Sequence, residues 1–133
     1  NIGRLKRRAD FLRVARSGRK CAMRGLVLQM APTPLGTNVN QPYDLCIGFT
    51  VTKRVGNAVI RNRARRRQRA AANQVLRTKA VAGFDYVLIA RQSTPTRPYD
   101  DLVEDMETAF MRLDPNRSEG SSGLDRANER ARK

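Results

Sequence analysis

The sequence predicts an α+β fold held in one domain, and three observations lead there. Apolar residues recur at helical spacing in three stretches, about Arg8–Ser17, Asn57–Lys79 and Tyr99–Leu113. They alternate with period two in Gly25–Ala31 and Tyr43–Thr52, the spacing of strands with one buried face. A run that is apolar on both faces, Phe84–Ala90, follows the longest helical stretch, so strand, helix and strand make a βαβ unit. At 133 residues the chain is long enough for one modest core.

Each element has its own signals. In the first helix Phe11, Val14 and Ala15 fall at i, i+3 and i+4, and Arg8, Arg13 and Arg16 make the polar face. Gly18 is placed to end it. The next strand turns Leu26, Leu28 and Met30 one way and Val27 and Gln29 the other. Residues 32–42 form a loop with three prolines. The following strand sets Leu45, Ile47, Phe49 and Val51 against Asp44, Cys46, Gly48, Thr50 and Thr52. One of these faces is a core face; the other is small and polar, open to a ligand. Two strands joined by that loop suggest an antiparallel hairpin.

Lys53–Gly56 is a basic turn, and Asn57 caps the long helix that follows. Ile60, Ala64, Ala71 and Val75 fall within about 60° of one another around its axis. Arg61, Arg65, Arg66 and Arg69 lie opposite, with Arg63 at the edge. Arg67 falls beside the apolar stripe, where a charge is not expected. In the last helix Leu102, Met106, Ala109, Phe110 and Leu113 form an inner stripe, while the acids between Asp100 and Glu107 suggest an outward, solvated face turned from any RNA. From residue 115 to residue 133 the chain is polar and lacks a stripe, as a disordered tail would.

Composition excludes much chemistry. There is no histidine and there are two cysteines, Cys21 and Cys46, so a His-ligated metal, a four-thiolate zinc site and a Ser-His-Asp or Cys-His group are ruled out. Both cysteines are expected as free thiols. The acids Asp10, Asp44 and Asp85 lie on separate elements, and nothing in the order of residues pairs them for a two-metal site. The basic N-terminus has no apolar run behind it, unlike a signal peptide, and no run is long enough to span a membrane. A cytoplasmic protein is the expectation.

What remains is charge. Lys and Arg number 27 against 12 acids, a net charge of +15. A compact chain so charged repels itself unless a polyanion neutralises it. Eight of the basic residues and no acid fall in Lys53–Arg69. Without acids at i±4 those arginines have no partners on their own helix. Their planar forks suit phosphate contact and base stacking. Two separate basic segments favour structured RNA over a DNA groove read by one short helix. The small polar strand face beside Phe11 suits an extended single strand.

Val55–Arg67, VGNAVIRNRARRR, resembles the protein subunit family of bacterial ribonuclease P. The RNR signature of that family stands here as Arg61-Asn62-Arg63, after the basic pair Lys53-Arg54 and the strand IGFTVT. RLKRRADFLRVARSGR resembles the family's opening helix and FDYVLIAR its last strand; the likeness runs over roughly Arg4–Leu113. It implies a domain over residues 1–114 that is an α-β-β-β-α-β-α sandwich, similar to ribosomal protein S5 domain 2. The sheet would have four strands, one of them near Arg19–Ala22. It also implies a left-handed βαβ crossover, whereas connection rules alone predict a right-handed one.

The resemblance implies a function too: the RNA-binding subunit of an endoribonuclease that removes the 5′ leader of precursor tRNA. Catalysis and the required Mg2+ belong to the RNA, with no metal site in the protein alone and one protein per RNA. Lys53, Arg54, Arg61, Asn62, Arg63, Arg65, Arg66 and Arg69 would hold the catalytic RNA. Arg8, Phe11, Ala15, Val27, Gln29, Cys46, Gly48 and Thr50 would line the leader cleft. Ala15 and Gln29 depart from the family's frequent aromatics, and Arg67 and Gln68 from apolar residues. The alternative is a ribosomal-type protein or RNA chaperone without a role in tRNA processing.

Overall fold

The computed structural model describes residues 2–34 and 45–115. Most of the proline loop and all but the first residue of the expected tail fall outside them. The elements are β1 (Ile2–Arg4), α1 (Arg8–Ser17), β2 (Arg19–Ala22), β3 (Leu26–Pro32), β4 (Leu45–Thr50), α2 (Ala58–Lys79), β5 (Phe84–Ala90) and α3 (Tyr99–Leu113). A single 3-10 turn, Lys53–Val55, joins β4 to α2.

Among the described residues the sheet has five strands in the order β1-β4-β5-β3-β2, not four. The added strand, β1, pairs parallel to β4 through Ile2↔Leu45 and Arg4↔Ile47. Three residues are too few to show period two, so alternation could not find it. The expected β3–β4 hairpin does not form either. β5 lies between them, antiparallel to β3 and parallel to β4. The physical reason is in its composition. Tyr86, Val87 and Leu88 are all buried, and only a central strand covered on both faces buries successive residues.

α2 and α3 pack on one face of the sheet, against Leu26, Leu28, Met30, Ile47, Tyr86 and Leu88. α1 packs on the other, where Val14 meets Ala31 and Val87 with Leu5, Phe11 and Ile89 beside them. Tyr86 and Phe110 meet at 4.9 Å between ring centres in the larger core. Burial pushes the Tyr86 phenol above its usual value, against the opposing effect of the hydrogen bond from the Val81 amide. Cys21 and Cys46 are both buried, and neither is in a disulfide.

Gly18 ends α1, though not by a left-handed turn, since its φ is −89°. A β-carbon there would lie 2.3 Å from the Val14 carbonyl oxygen and 2.4 Å from that of Met30. Glycine is needed because the end of α1 abuts the backbone of β3.

Asp105 corrects the outward reading of the acids on α3. It is 7% exposed and takes part in a buried latch. Its carboxylate accepts from Arg97 Nε at 2.6 Å and from the Gly25 amide at 2.9 Å. Thr94 Oγ1 donates to the Gly25 carbonyl at 2.6 Å, so segment 91–98 is tied to the turn before β3. Asp105→Ala leaves the Gly25 amide and Arg97 without their acceptor. The expected loss is about 2 kcal/mol, read from the urea unfolding midpoint. Asp105→Asn should lose less, because one acceptor oxygen remains.

Candidate nucleic-acid interface

α2 starts where Gly56 makes it start. Gly56 has φ 153° and ψ −164°, a conformation open in practice to glycine alone, and a β-carbon would meet Ile60 at 2.8 Å. The Asn57 side chain then accepts from the Ile60 amide at 3.0 Å. Buried Val55 anchors the 3-10 turn while Lys53 and Arg54 stand exposed on it. Gln92 Nε2 donates to the Arg54 carbonyl at 3.2 Å and steadies that turn.

The buried residues of α2 do not form a straight stripe. Ala64, Gln68, Ala72 and Leu76 make an i+4 row, with Ala71 and Val75 beside it. Such rows are inclined to the helix axis, about −26°. The sheet-facing surface therefore winds around α2 as the helix proceeds. A second i+4 row runs alongside it: Arg61, Arg65, Arg69, Asn73, Arg77.

Asn62, Arg63, Arg66 and Arg69 are exposed; Arg61 and Arg65 are half-buried. Arg61 Nη1 donates to the Gly56 carbonyl at 3.3 Å. Arg65 Nη1 donates to Asn62 Oδ1 at 3.1 Å. Asn62 thus has a local role that counting charges misses: it orients an arginine without neutralising it. No acidic residue occurs anywhere in α2.

Arg67 is the exception among these arginines. Its Nε donates to the Thr94 carbonyl at 3.0 Å, a second nitrogen donates to the Arg97 carbonyl, and its guanidinium lies 5.9 Å from the Tyr99 ring centre. It fastens α2 to segment 91–98, which explains a charge beside the apolar stripe. Gln68, next to it, is fully buried; its Nε2 donates to the Leu88 carbonyl at 3.3 Å and its Oε1 has no partner.

The opposite face of the sheet carries a groove. Register sets its rows: Gly48, Val87 and Gln29 lie side by side, and Thr50, Ile89 and Val27 form the next row. Lys20 continues the first row and Ala22 the second. Val27, Gln29, Thr50 and Ile89 are half-buried. Phe11 reaches from α1 over Gly48, where a β-carbon would meet its ring at 2.6 Å. Cys46 and Gly48 are buried, so they floor the groove beneath α1. Arg8 and Ala15 are exposed on α1 itself.

Two features of the groove were not readable from residue order. Val87 and Ile89 belong to it, but alternation alone does not say which face of β5 meets α1. Arg13 also brings together two acids expected to be apart. It lies 2.6 Å from Asp85 and 3.4 Å from Asp10, and Asp85 accepts from Thr33 Oγ1 at 3.0 Å as well. This strut, from α1 to a carboxylate that is 3% exposed, sets how α1 overhangs the sheet. Among the described residues no cluster of three potential metal ligands occurs. No helix among them is long and apolar enough to cross a membrane.

Comparisons with known proteins agree on one family. The model for the Ribonuclease P family matches residues 2–114. A ribonuclease P protein component from Paramagnetospirillum magneticum is 54% identical over 112 residues, 84% of this chain and 83% of that protein. Another, from Gluconacetobacter diazotrophicus, is 52% identical over 103 residues, 77% of this chain and 84% of that one. The solved RNase P protein of Staphylococcus aureus is similar in structure with a TM-score of 0.62 at 28% identity, over 80% of this chain and 91% of the other.

Proposed function

Since this chain belongs to the ribonuclease P protein family, it is a subunit of that endoribonuclease in tRNA 5′ processing, and we propose that its two basic surfaces divide the work. The exposed side of α2, with Lys53 and Arg54 on the turn before it, holds the catalytic RNA. The groove under α1 holds the 5′ leader of precursor tRNA as an extended strand. One observation carries this reading: α2 exposes a run of arginines with no acid on the helix to neutralise them, on the sheet face opposite the groove.

The protein raises affinity and the RNA carries the bond cleavage. Magnesium is held by the RNA; support comes from the groove's own acids, since Asp10 and Asp85 are both engaged by Arg13. One protein binds each RNA, in the cytoplasm. The βαβ crossover of β4, α2 and β5 is left-handed and the layout S5 domain 2-like; family membership supports both. The protein freed of nuclease should not cut precursor tRNA, and adding cognate catalytic RNA at low magnesium should restore cutting. Cutting by the protein alone would overturn the assignment. If six phosphates are contacted, log affinity should fall against log salt with a slope of about −4.

Phe11→Ala separates the surfaces. Loss of one stacking platform should weaken binding of leader-bearing precursor tRNA to the holoenzyme about tenfold, while affinity for the catalytic RNA stays unchanged. Phe11→Leu fills the space over Gly48 without an aromatic face. If it binds the leader as well as Phe11 does, the ring serves packing alone.

A further inference from the structure

The i+4 row on α2 does not stop where the RNR signature stops. Arg61, Arg65 and Arg69 continue into Asn73 and Arg77, about 24 Å along the helix from first to last. As the row winds round α2 it comes to border a groove of about 370 Å3 between the C-terminal half of the helix and the sheet edge at β1. That size lies in the range of small-ligand sites, roughly 300–1,000 Å3. Its floor is apolar, with Phe49 and Leu76. Its rim is basic, with Arg4, Arg69 and Arg77, and among the described residues none that lines it is acidic.

The edge strand supplies the detail that points to an occupant. Parallel pairing puts Arg4 beside Ile47 on the α2 side of the sheet. There its guanidinium lies 5.5 Å from the centre of the half-buried Phe49 ring. Arg4 is itself exposed, so its side chain is within reach of a ligand in the groove. RNA-binding surfaces use aromatic rings and guanidinium planes to stack unpaired bases. Here one sits on the other, flanked by two arginines and an amide at helical spacing.

We propose that this groove binds an extruded, unpaired nucleotide of the catalytic RNA. The base stacks on the outer face of Arg4, Asn73 offers its amide to the base edge, and Arg69 and Arg77 take the adjoining phosphates. The proposal rests on the reading of α2 as the helix that holds catalytic RNA, and extends that surface from the RNR signature to β1. Charge decides for RNA over a peptide: three arginines on the described rim complement phosphates.

The test uses the full chain and its cognate catalytic RNA. Arg4→Lys keeps the charge and removes the stacking plane. It should weaken affinity about tenfold and abolish protein-dependent protection of one unpaired nucleotide from chemical probing. Arg77→Gln should weaken affinity less and lower the salt slope by about one. Both residues are exposed, so the urea midpoint should not move. Arg61→Ala with Arg63→Ala is the reference. If the reference weakens binding but Arg4→Lys does not, the groove proposal is overturned and the reading of α2 stands. If the reference binds like the parent, the reading of α2 fails instead. Unchanged RNA affinity with a self-association that Arg4→Lys abolishes would assign the groove to a second copy and overturn the proposal.

Discussion

Replacing Arg61 and Arg63 together by alanine is expected to weaken association with the catalytic RNA on the order of a hundredfold, with little effect on folding. The size follows from two charge-assisted contacts, about 1.5 kcal/mol each at the low end. Arg63 is exposed, and Arg61 gives up only a 3.3 Å bond to the Gly56 carbonyl. Electrostatics adds a second signature. Two lost phosphate contacts should flatten the log–log salt dependence by about 1.4, since each contributes about 0.7 with the single-strand coefficient. Filter binding across a salt series measures both. A hundredfold loss with an unchanged slope would mean that the helix had shifted rather than lost phosphate contacts. Arg67→Ala makes the contrast. Arg67 is fastened to the Thr94 and Arg97 carbonyls, so its loss should lower stability without that change of slope.

Gly18→Ala should be strongly damaging, because its methyl group would collide with backbone on two sides. The new carbon would fall 2.3 Å from the Val14 carbonyl oxygen and 2.4 Å from the Met30 carbonyl oxygen. Both are backbone atoms, one in the last turn of α1 and one in β3, so no side chain can rotate away. Overpacking of this kind costs about 3 kcal/mol when the backbone must move. Relief comes by lifting α1 from the sheet. That would also strain the 2.6 Å bridge from Arg13 to Asp85 and move Phe11 from its place over Gly48. A lowered urea midpoint should therefore accompany weakened leader binding. Affinity for the catalytic RNA, carried on the opposite face, should persist under conditions where the variant is folded. A fully stable Gly18→Ala would show that α1 sits further from β3.

The two variants also mark how far residue order leads. Arg61, Arg63 and their neighbours are legible at once, because a helix repeats every 3.6 residues and a run of arginines without acids must find its counter-charge outside the chain. Gly18 is legible only as the end of a helix. The sequence offers a turn as the reason for glycine, and the structure shows a contact with a strand twelve residues later.

Local periodicity by itself determined the three helices, the faces of β3 and β4, the Asn57 cap and the basic identity of α2. It did so because each rests on neighbours within a turn of helix or a few residues of strand. Only the tertiary structure decided the rest. It placed β5 between β3 and β4, added β1 to the edge, turned Asp105 inward to the Gly25 amide and gathered Asp10 and Asp85 around Arg13. It put Arg67 to work inside the protein. Each of these joins residues far apart in the chain, and strand order follows from which strand can bury both of its faces. Pairings of that kind depend on the assembled sheet, and no local repeat records them.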